Sequence, residues 1–404
     1  MVTTSHVRAG DPPAPTGGDV AQVLGLFRGA DALTRSEVMR LSGLSRSTVN
    51  QRIDTLLTAG LVTPAGEQSI ARGRPPERFA FNRSRGALLV ADLGATGLRT
   101  GLCDLSGTVL SEQDHSIDLG QGPEALLSLI NNSFATLLAD AGVDGSSVLG
   151  IGLDVPGPVD FTRGRVVSPP IMNGWDGFDI RGWFGRHYAC PVLVENDVNA
   201  MAWGEQQTVY PDVTELFMLK LGTGVGAGLV TRQHIFRGAD GSAGDIGHLY
   251  AAPPDDGPVP QCQCGRFGCV EAYAGGWALV RDLNAAGIPT ANVEEAVRLL
   301  RSGDLTAVRL ARRNGRVLGE AVAQAVSLFN PRVIVLTGQL SAAEDHLLAG
   351  IREVVYQRSL PLATRNLQIA LSGLEERAGL IGLALLLADT IFAGPEVGLL
   401  TAGK

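Results

Sequence analysis

The 404-residue chain is short of several things, and each shortage excludes something. It has five cysteines, three of them clustered, which is no disulfide framework of the kind that staples small secreted domains. No run reaches the ~18 uncharged apolar residues that a membrane helix needs. The opening stretch, MVTTSHVRAGDPPAPTGGD, has no apolar core and so is not read as a secretory signal. A cytoplasmic location without a membrane partner is expected. Charged residues make up 18% and apolar residues 45%, so the chain can bury real cores. Residues 1–85 lack lysine altogether; they hold 11 Arg against seven acidic residues, a net +4. The remainder carries −12. A basic head on an acidic body suggests a nucleic-acid-binding module joined to a different kind of domain.

Residues 1–18, rich in Pro, Gly and Thr, read as a disordered tail. Residues 19–85 read as a winged helix-turn-helix with its wing and linker. A short apolar-periodic helix carries Val20, Val23, Leu24 and Phe27. A second begins after Thr34, with Glu37 placed for a capping box, and turns Val38 and Leu41 inward. Ser45 caps a third, whose Val49, Ile53, Leu56 and Leu57 fall on one face. Gly60 follows where a C′ residue belongs. The opposite face offers Arg46, Ser47, Thr48, Asn50, Gln51 and Arg52. These are residue types that hold phosphates and read base edges in a major groove. Arg72 and Arg74, in an Arg-Gly-Arg segment between two extended pieces, suit entry into a narrow minor groove. The plain alternative is a small helical domain with a solvated polar face.

From Leu88 the pattern changes. LLVADLGATG reads as a buried strand ending in a Gly/Thr turn, with further strands after it. LFMLKLGTGVGAGLV repeats that opening, so residues 86–404 are expected to form two lobes around a cleft. Cys262, Cys264 and Cys269 fall within eight residues, with Gly265 and Gly268 allowing the chain to fold back on one ion. Three thiolates need a fourth ligand for a tetrahedral structural zinc, and His248 is the nearest candidate. The zinc loop would span about 248–271. Cys103 and Cys190 read as core residues.

Several ordered motifs resemble the ROK family of sugar kinases and sugar-responsive regulators: DLGATG, DVPGPVD, NGW, ENDVNAMAWGE, LGTGVGAG, GDIGH, CQCGRFGCVE and FNPRVIVLTG. The resemblance runs from about Val20 to the C-terminal helix. Together with the head and the RGRP linker it points to the family's regulator branch. It implies an actin-like (ribonuclease H-like) two-lobed α/β fold, homodimers or homotetramers, and the same zinc set of His248 and three cysteines. It also implies a sugar site. Asp197 matches the family's catalytic base, Asn196 a hydroxyl ligand, and Asn173, His248 and Glu271 further sugar-contacting positions. Asp245 stands where kinase members and many sensors carry Glu, a carboxylate one methylene shorter. The plain alternative for Asn196-Asp197 is an N-cap of the next helix.

The nucleotide half departs further. Kinase members carry DxGGTK-like residues at the first phosphate turn. Here Asp92, Gly94 and Thr96 remain, but Ala95 replaces a glycine and the basic residue is absent. The second turn, Gly222-Thr223-Gly224, is intact; the third has become Thr337-Gly338. ATP and Mg are therefore not expected as cofactors, and Asp197 is catalytic only if the protein is a kinase. The expected function is a sugar-responsive regulator, a repressor, binding double-stranded operator DNA. The alternatives are an ATP-dependent hexose kinase with an added DNA-binding head, and a DNA-binding protein whose body serves only as an oligomerisation platform.

Overall fold

In the computed structural model, residues 20–65, 77–253 and 258–393 are described. The tail, Arg72 and Arg74 lie outside the described residues.

Caps and apolar spacing set the head. It comprises α1 (Val20–Arg28), β1 (Leu33–Thr34), α2 (Arg35–Ser42), α3 (Arg46–Thr58), β2 (Val62–Ala65) and β3 (Arg78–Phe81). The Thr34 side chain accepts from the Glu37 backbone N–H, and Glu37 Oε2 accepts from the Thr34 N–H at 2.7 Å, so the capping box closes. Ser45 caps α3 by accepting from the Thr48 N–H. Gly43 ends α2 in the left-handed region. Val23, Leu24, Phe27, Val38, Val49, Ile53 and Leu56 form the buried seam. Leu41 does not join it: its side chain is 48% exposed, because α2 ends one residue later and its last turn overhangs. Leu57 is only partly buried. The three strands pair antiparallel in the order β1-β3-β2 behind the helices.

The body is built twice on one plan. Its first half holds β4 (Ala87–Leu93), β5 (Gly97–Cys103), β6 (Val109–Ser116), α4 (Gly122–Asp140), β7 (Val148–Val155), β8 (Val159–Asp160), β9 (Arg165–Val166), α5 (Ile180–Phe184) and β10 (Val192–Asn196). The helix α6 (Asp197–Thr208) leads to the second half. That half holds β11 (Glu215–Leu221), β12 (Val225–Thr231), β13 (His234–Ile235), α7 (Val270–Ala274), α8 (Gly276–Ala285), α9 (Val293–Arg301), α10 (Leu305–Phe329), β14 (Val333–Thr337), α11 (Glu344–Arg358), α12 (Pro361–Thr364) and β15 (Gln368–Leu371). The chain then enters α13 (Ala378–Ala393). The sheet orders are β10-β7-β4-β5-β6 and β13-β12-β11-β14-β15. In each, a strand pairs antiparallel with its successor across a glycine turn and parallel with a later strand. The repeat in the sequence is thus a repeat in space. The apolar run of β4 is buried along its whole length, as a central strand covered on both faces requires. The pairing of α11 with α10 and the strand β15 go beyond the sequence reading. Gly350, in the middle of α11, weakens its helical pattern and lets the helix lie close against Gly315 of α10.

Helices α6 and α13 pack side by side between the halves, α13 against the first sheet and α6 against the second. They touch where Gly204 meets Gly382, and a β-carbon on Gly382 would overlap the Ala200 carbonyl oxygen. Leu380, Leu383, Leu387 and Ile391 of α13 are fully buried, each worth about 1.5–3 kcal/mol of burial free energy. The far end of α13 meets the head. Arg28 Nη2 donates to Asp389 Oδ1 at 2.8 Å and its guanidinium lies 5.1 Å from the Phe392 ring centroid. Phe81 meets Phe392 edge-on at 5.5 Å.

Candidate functional site

One large cleft, of about 1480 Å³, opens at the strand ends between the two halves. It is bounded by both glycine turns, the start of α6 and the cysteine loop.

The sugar-type residues enter from three directions. Asn196 ends β10 and caps α6: its Oδ1 accepts from the Val198 and Asn199 N–H groups, and its Nδ2 donates to the Gly157 carbonyl at 3.1 Å. The capping role is therefore real and belongs to Asn196, which still lines the cleft. Asp197, the first residue of α6, is nearly buried. Its Oδ1 accepts from the Val198 N–H at 2.8 Å, and its Oδ2 accepts from Lys220 Nζ of β11. Glu271, on α7, is 9% exposed and ties the second turn to the cysteine loop. Its Oε2 accepts from the Val225 N–H at 2.9 Å, and its Oε1 from Cys262 Sγ and Trp277 Nε1. His248 and Asp245 also line the cleft, with Nε2 and Oδ1 3.9 Å apart. Asn173 does not: it is exposed beside Gly174, and the cleft wall stops at Ile171.

His248, Cys262, Cys264 and Cys269 converge, with their ligand atoms all within 4.8 Å of one another. Cys264 and Cys269 Sγ lie 3.7 Å apart, as do Cys262 Sγ and His248 Nδ1. A tetrahedron with metal–sulfur bonds of about 2.3 Å has edges of about 3.8 Å, so the donor set fits a zinc ion in size and chemistry. Burial pushes the Cys262 thiol up. A cation reverses that by favouring the thiolate.

The phosphate-type residues line the same cleft: Asp92, Gly94, Thr96, Gly222, Thr223, Gly224 and Gly338. Each turn closes on itself, Gly94 N–H to the Gly97 carbonyl at 2.8 Å and Gly222 N–H to the Gly224 carbonyl at 3.1 Å. Gly338, at φ 90°, lies so close to Leu221 that a side chain would not fit. Beneath the first turn are two carboxylates in register on neighbouring strands, Asp92 and Asp154. Asp154 is fully buried; its Oδ1 accepts from the Leu93 N–H at 3.1 Å and its Oδ2 has no donor among the described residues. Burial, then the charge of Asp92, pushes the Asp154 carboxyl well above the usual range. Burial raises Asp92 too, with Lys220 pulling the other way.

On the head, α3 presents Arg46, Ser47 and Gln51 exposed, with Thr48, Asn50 and Arg52 partly so. Arg35 of α2 donates to Asn50 Oδ1 at 3.3 Å and pairs with Asp54 at 2.8 Å.

The ROK sequence model matches residues 89–390, three-quarters of the chain. The chain belongs to the ROK family. An IclR-type helix-turn-helix model matches residues 20–66. The chain is 28% identical over 378 residues to the xylose repressor of Caldicellulosiruptor bescii, covering 90% of this chain and 94% of that one. Its fold is similar to that of a ROK family transcriptional regulator described as a homologue of the E. coli Mlc protein. The TM-score is 0.80 at 26% identity, over 95% and 98% of the two chains. It is also similar to a ROK glucokinase from Streptomyces griseus, solved with glucose and AMPPNP. There the TM-score is 0.64 at 29% identity, over 75% of this chain and all of that one. The head thus lies outside the part shared with the ROK kinase. Two residues at this ROK cleft escaped the sequence reading: Lys220, which lines it, and Asp154, buried beneath its first turn. Both sit inside apolar strands, in GLDV and LKLG, and pass for strand residues. The available signal was a charge in a buried strand one or two residues from a turn.

Proposed function

We infer that the protein is a sugar-responsive transcriptional repressor of the ROK family. The observation that carries this is a capped helix of groove-reading residue types on a head that packs directly onto a ROK body with an open cleft. In this reading α3 enters the major groove and Arg46, Ser47, Thr48, Asn50, Gln51 and Arg52 contact phosphates and base edges. The head is of the winged kind, with Arg72 and Arg74 in the minor groove. The protein binds as a homodimer or homotetramer to two half-sites about one helical turn apart. A sugar hydroxyl pattern is read by Asn196, Asp197, Asp245, His248 and Glu271. Asn173 needs a movement of its loop to join them. A structural zinc on His248, Cys262, Cys264 and Cys269 holds the loop that carries Glu271. Sugar changes operator affinity only through its differential affinity for two arrangements of body and head.

The test is a thermal-shift screen of the full chain against mono- and disaccharides, with and without Mg-ATP, with Asp197→Ala as control. A ligand at 100 times its Kd stabilises by about 2.7 kcal/mol. A sugar-specific shift without ATP, lost in the variant and paired with release of DNA selected from a random duplex library, is the expected result. No shift with any sugar overturns the reading. The intact Gly222-Thr223-Gly224 turn favours a second reading, a hexose kinase with a DNA-binding head. ADP release on adding a sugar with Mg-ATP is the result that selects it.

A further inference from the structure

The chain uses arginine almost everywhere it needs a cation: it has 31 arginines and two lysines, Lys220 and Lys404. Lys220 is therefore the only lysine among the described residues. It sits on β11, two residues before the intact glycine turn, and lines the cleft with one-fifth of its side chain exposed. Its ammonium donates to Asp197 Oδ2, across from the strand it belongs to. The charges of Asp92 and Asp154, from the first half, favour its protonated form as well. Burial works against its charge, but the three carboxylates outweigh burial and hold it protonated.

We propose that Lys220 is a sugar-contacting residue that works as a pair with Asp197. This rests on the reading of the cleft as a sugar site. An ammonium has three donors and the contact with Asp197 uses one. A carboxylate is an acceptor only. Side by side they offer a donor and an acceptor, which matches two adjacent hydroxyls of a neutral sugar, one accepting and the other donating. Charge on both partners strengthens each bond. A compact ammonium on a flexible stem fits between a carboxylate and a hydroxyl more closely than a planar guanidinium. That accounts for a lysine in a chain otherwise rich in arginine. The same contact bears on chemistry. Both oxygens of Asp197 are engaged, one by Lys220 and one by the Val198 N–H. A hydroxyl proton bound for Asp197 would compete with an ammonium already on it.

Two lysines make a direct test possible. The full chain is produced with isotope-labelled lysine, and its two side-chain NMR signals are followed while a mono- and disaccharide panel, including D-xylose and D-glucose, is added. Lys404 is the internal reference. The expected result is a saturable shift of the Lys220 signal alone, tracking the thermal shift of the same sugar. In Lys220→Met the affinity for that sugar should fall tenfold or more, and in Lys220→Arg by less. A sugar that binds with the Lys220 signal unmoved overturns the proposal, as does unchanged or tighter binding in a folded Lys220→Met. If that variant does not fold, the signals of the unsubstituted chain decide. If no sugar binds the unsubstituted chain, the sugar-site reading falls and takes this proposal with it.

Discussion

The two halves of the body share a strand plan but not what lies beneath their glycine turns. The first turn, Gly94 to Gly97, rests on Asp92 and Asp154, two carboxylates pushed up by burial. The second, Gly222 to Gly224, is braced from outside. Glu271 accepts from the Val225 N–H, and the Gly222 and Thr223 carbonyls accept from the Gly276 and Trp277 N–H groups at the start of α8. The cysteine loop stands directly behind. Duplicated topology thus fixes where a turn lies, while its neighbours decide what it can hold. One turn is cushioned by acid and carries Ala95; the other is anchored to a metal-type cluster and keeps its glycines.

The largest effect should come from the place where both halves lean on one contact. Gly382→Val drives a side chain into the backbone of α6, so a loss on the order of 4 kcal/mol or more is expected, with little folded protein recovered. Urea denaturation followed by circular dichroism measures it. Next is removal of the metal proposed for the cysteine loop. A chelator, or Cys262→Ser, should lower Tm by roughly 5 °C or more and remove one zinc per chain by elemental analysis. Hydrogen exchange should accelerate at Val225, Gly276 and Trp277 but not at Leu93 or Gly94; equal acceleration at both turns would erase the distinction drawn above.

Asp154→Asn probes the other half. A carboxyl raised in the folded state adds stability below its unfolded value of about 4 and loses it as pH climbs through the folded value. The contribution of Asp154 to stability should therefore be lost as pH rises above about 4. The amide variant, with Oδ1 still able to accept from Leu93, should melt a few °C higher at pH 8, with the gap closing towards pH 5. A variant less stable at pH 8 would show that the charge is needed. The smallest effect belongs to Ala95→Gly. Restoring the glycine should cost up to about 1 kcal/mol through the unfolded chain and leave Mg-ATP binding undetectable by calorimetry, because Asp154 remains beneath the turn.

Much of this was legible in the sequence, for identifiable reasons. Caps at Thr34 and Ser45 are local chemistry and appeared where expected. The repeat of strand, Gly/Thr turn and strand in the sequence is the two-half plan itself. The three cysteines meet because Gly265 and Gly268 turn one short loop back on itself, and the bridge between Tyr250 and Cys269 brings His248 to them. Leu41 failed because helix periodicity does not say where packing stops. Asn173 stands outside the cleft lining because a motif fixes a residue type and not the course of its loop. Lys220 and Asp154 stayed hidden because their meaning depends on register between strands far apart in sequence. Asp154 faces Asp92 only once β7 is laid parallel to β4.

The docking of Arg28 on Asp389 joins residues 361 positions apart. Time of synthesis adds a meaning that geometry alone does not. At about 5–20 residues per second, the head leaves the ribosome well before α13 exists. Its own seam of Val23, Leu24, Phe27 and Ile53 can close early, while β4 and β7 wait for the helix that covers them. A chain stopped before Ala378 would thus carry a finished reading head on an unfinished body. Such a fragment should recognise duplex DNA and ignore every sugar, which would make late synthesis the step at which a mere binder becomes a responsive one.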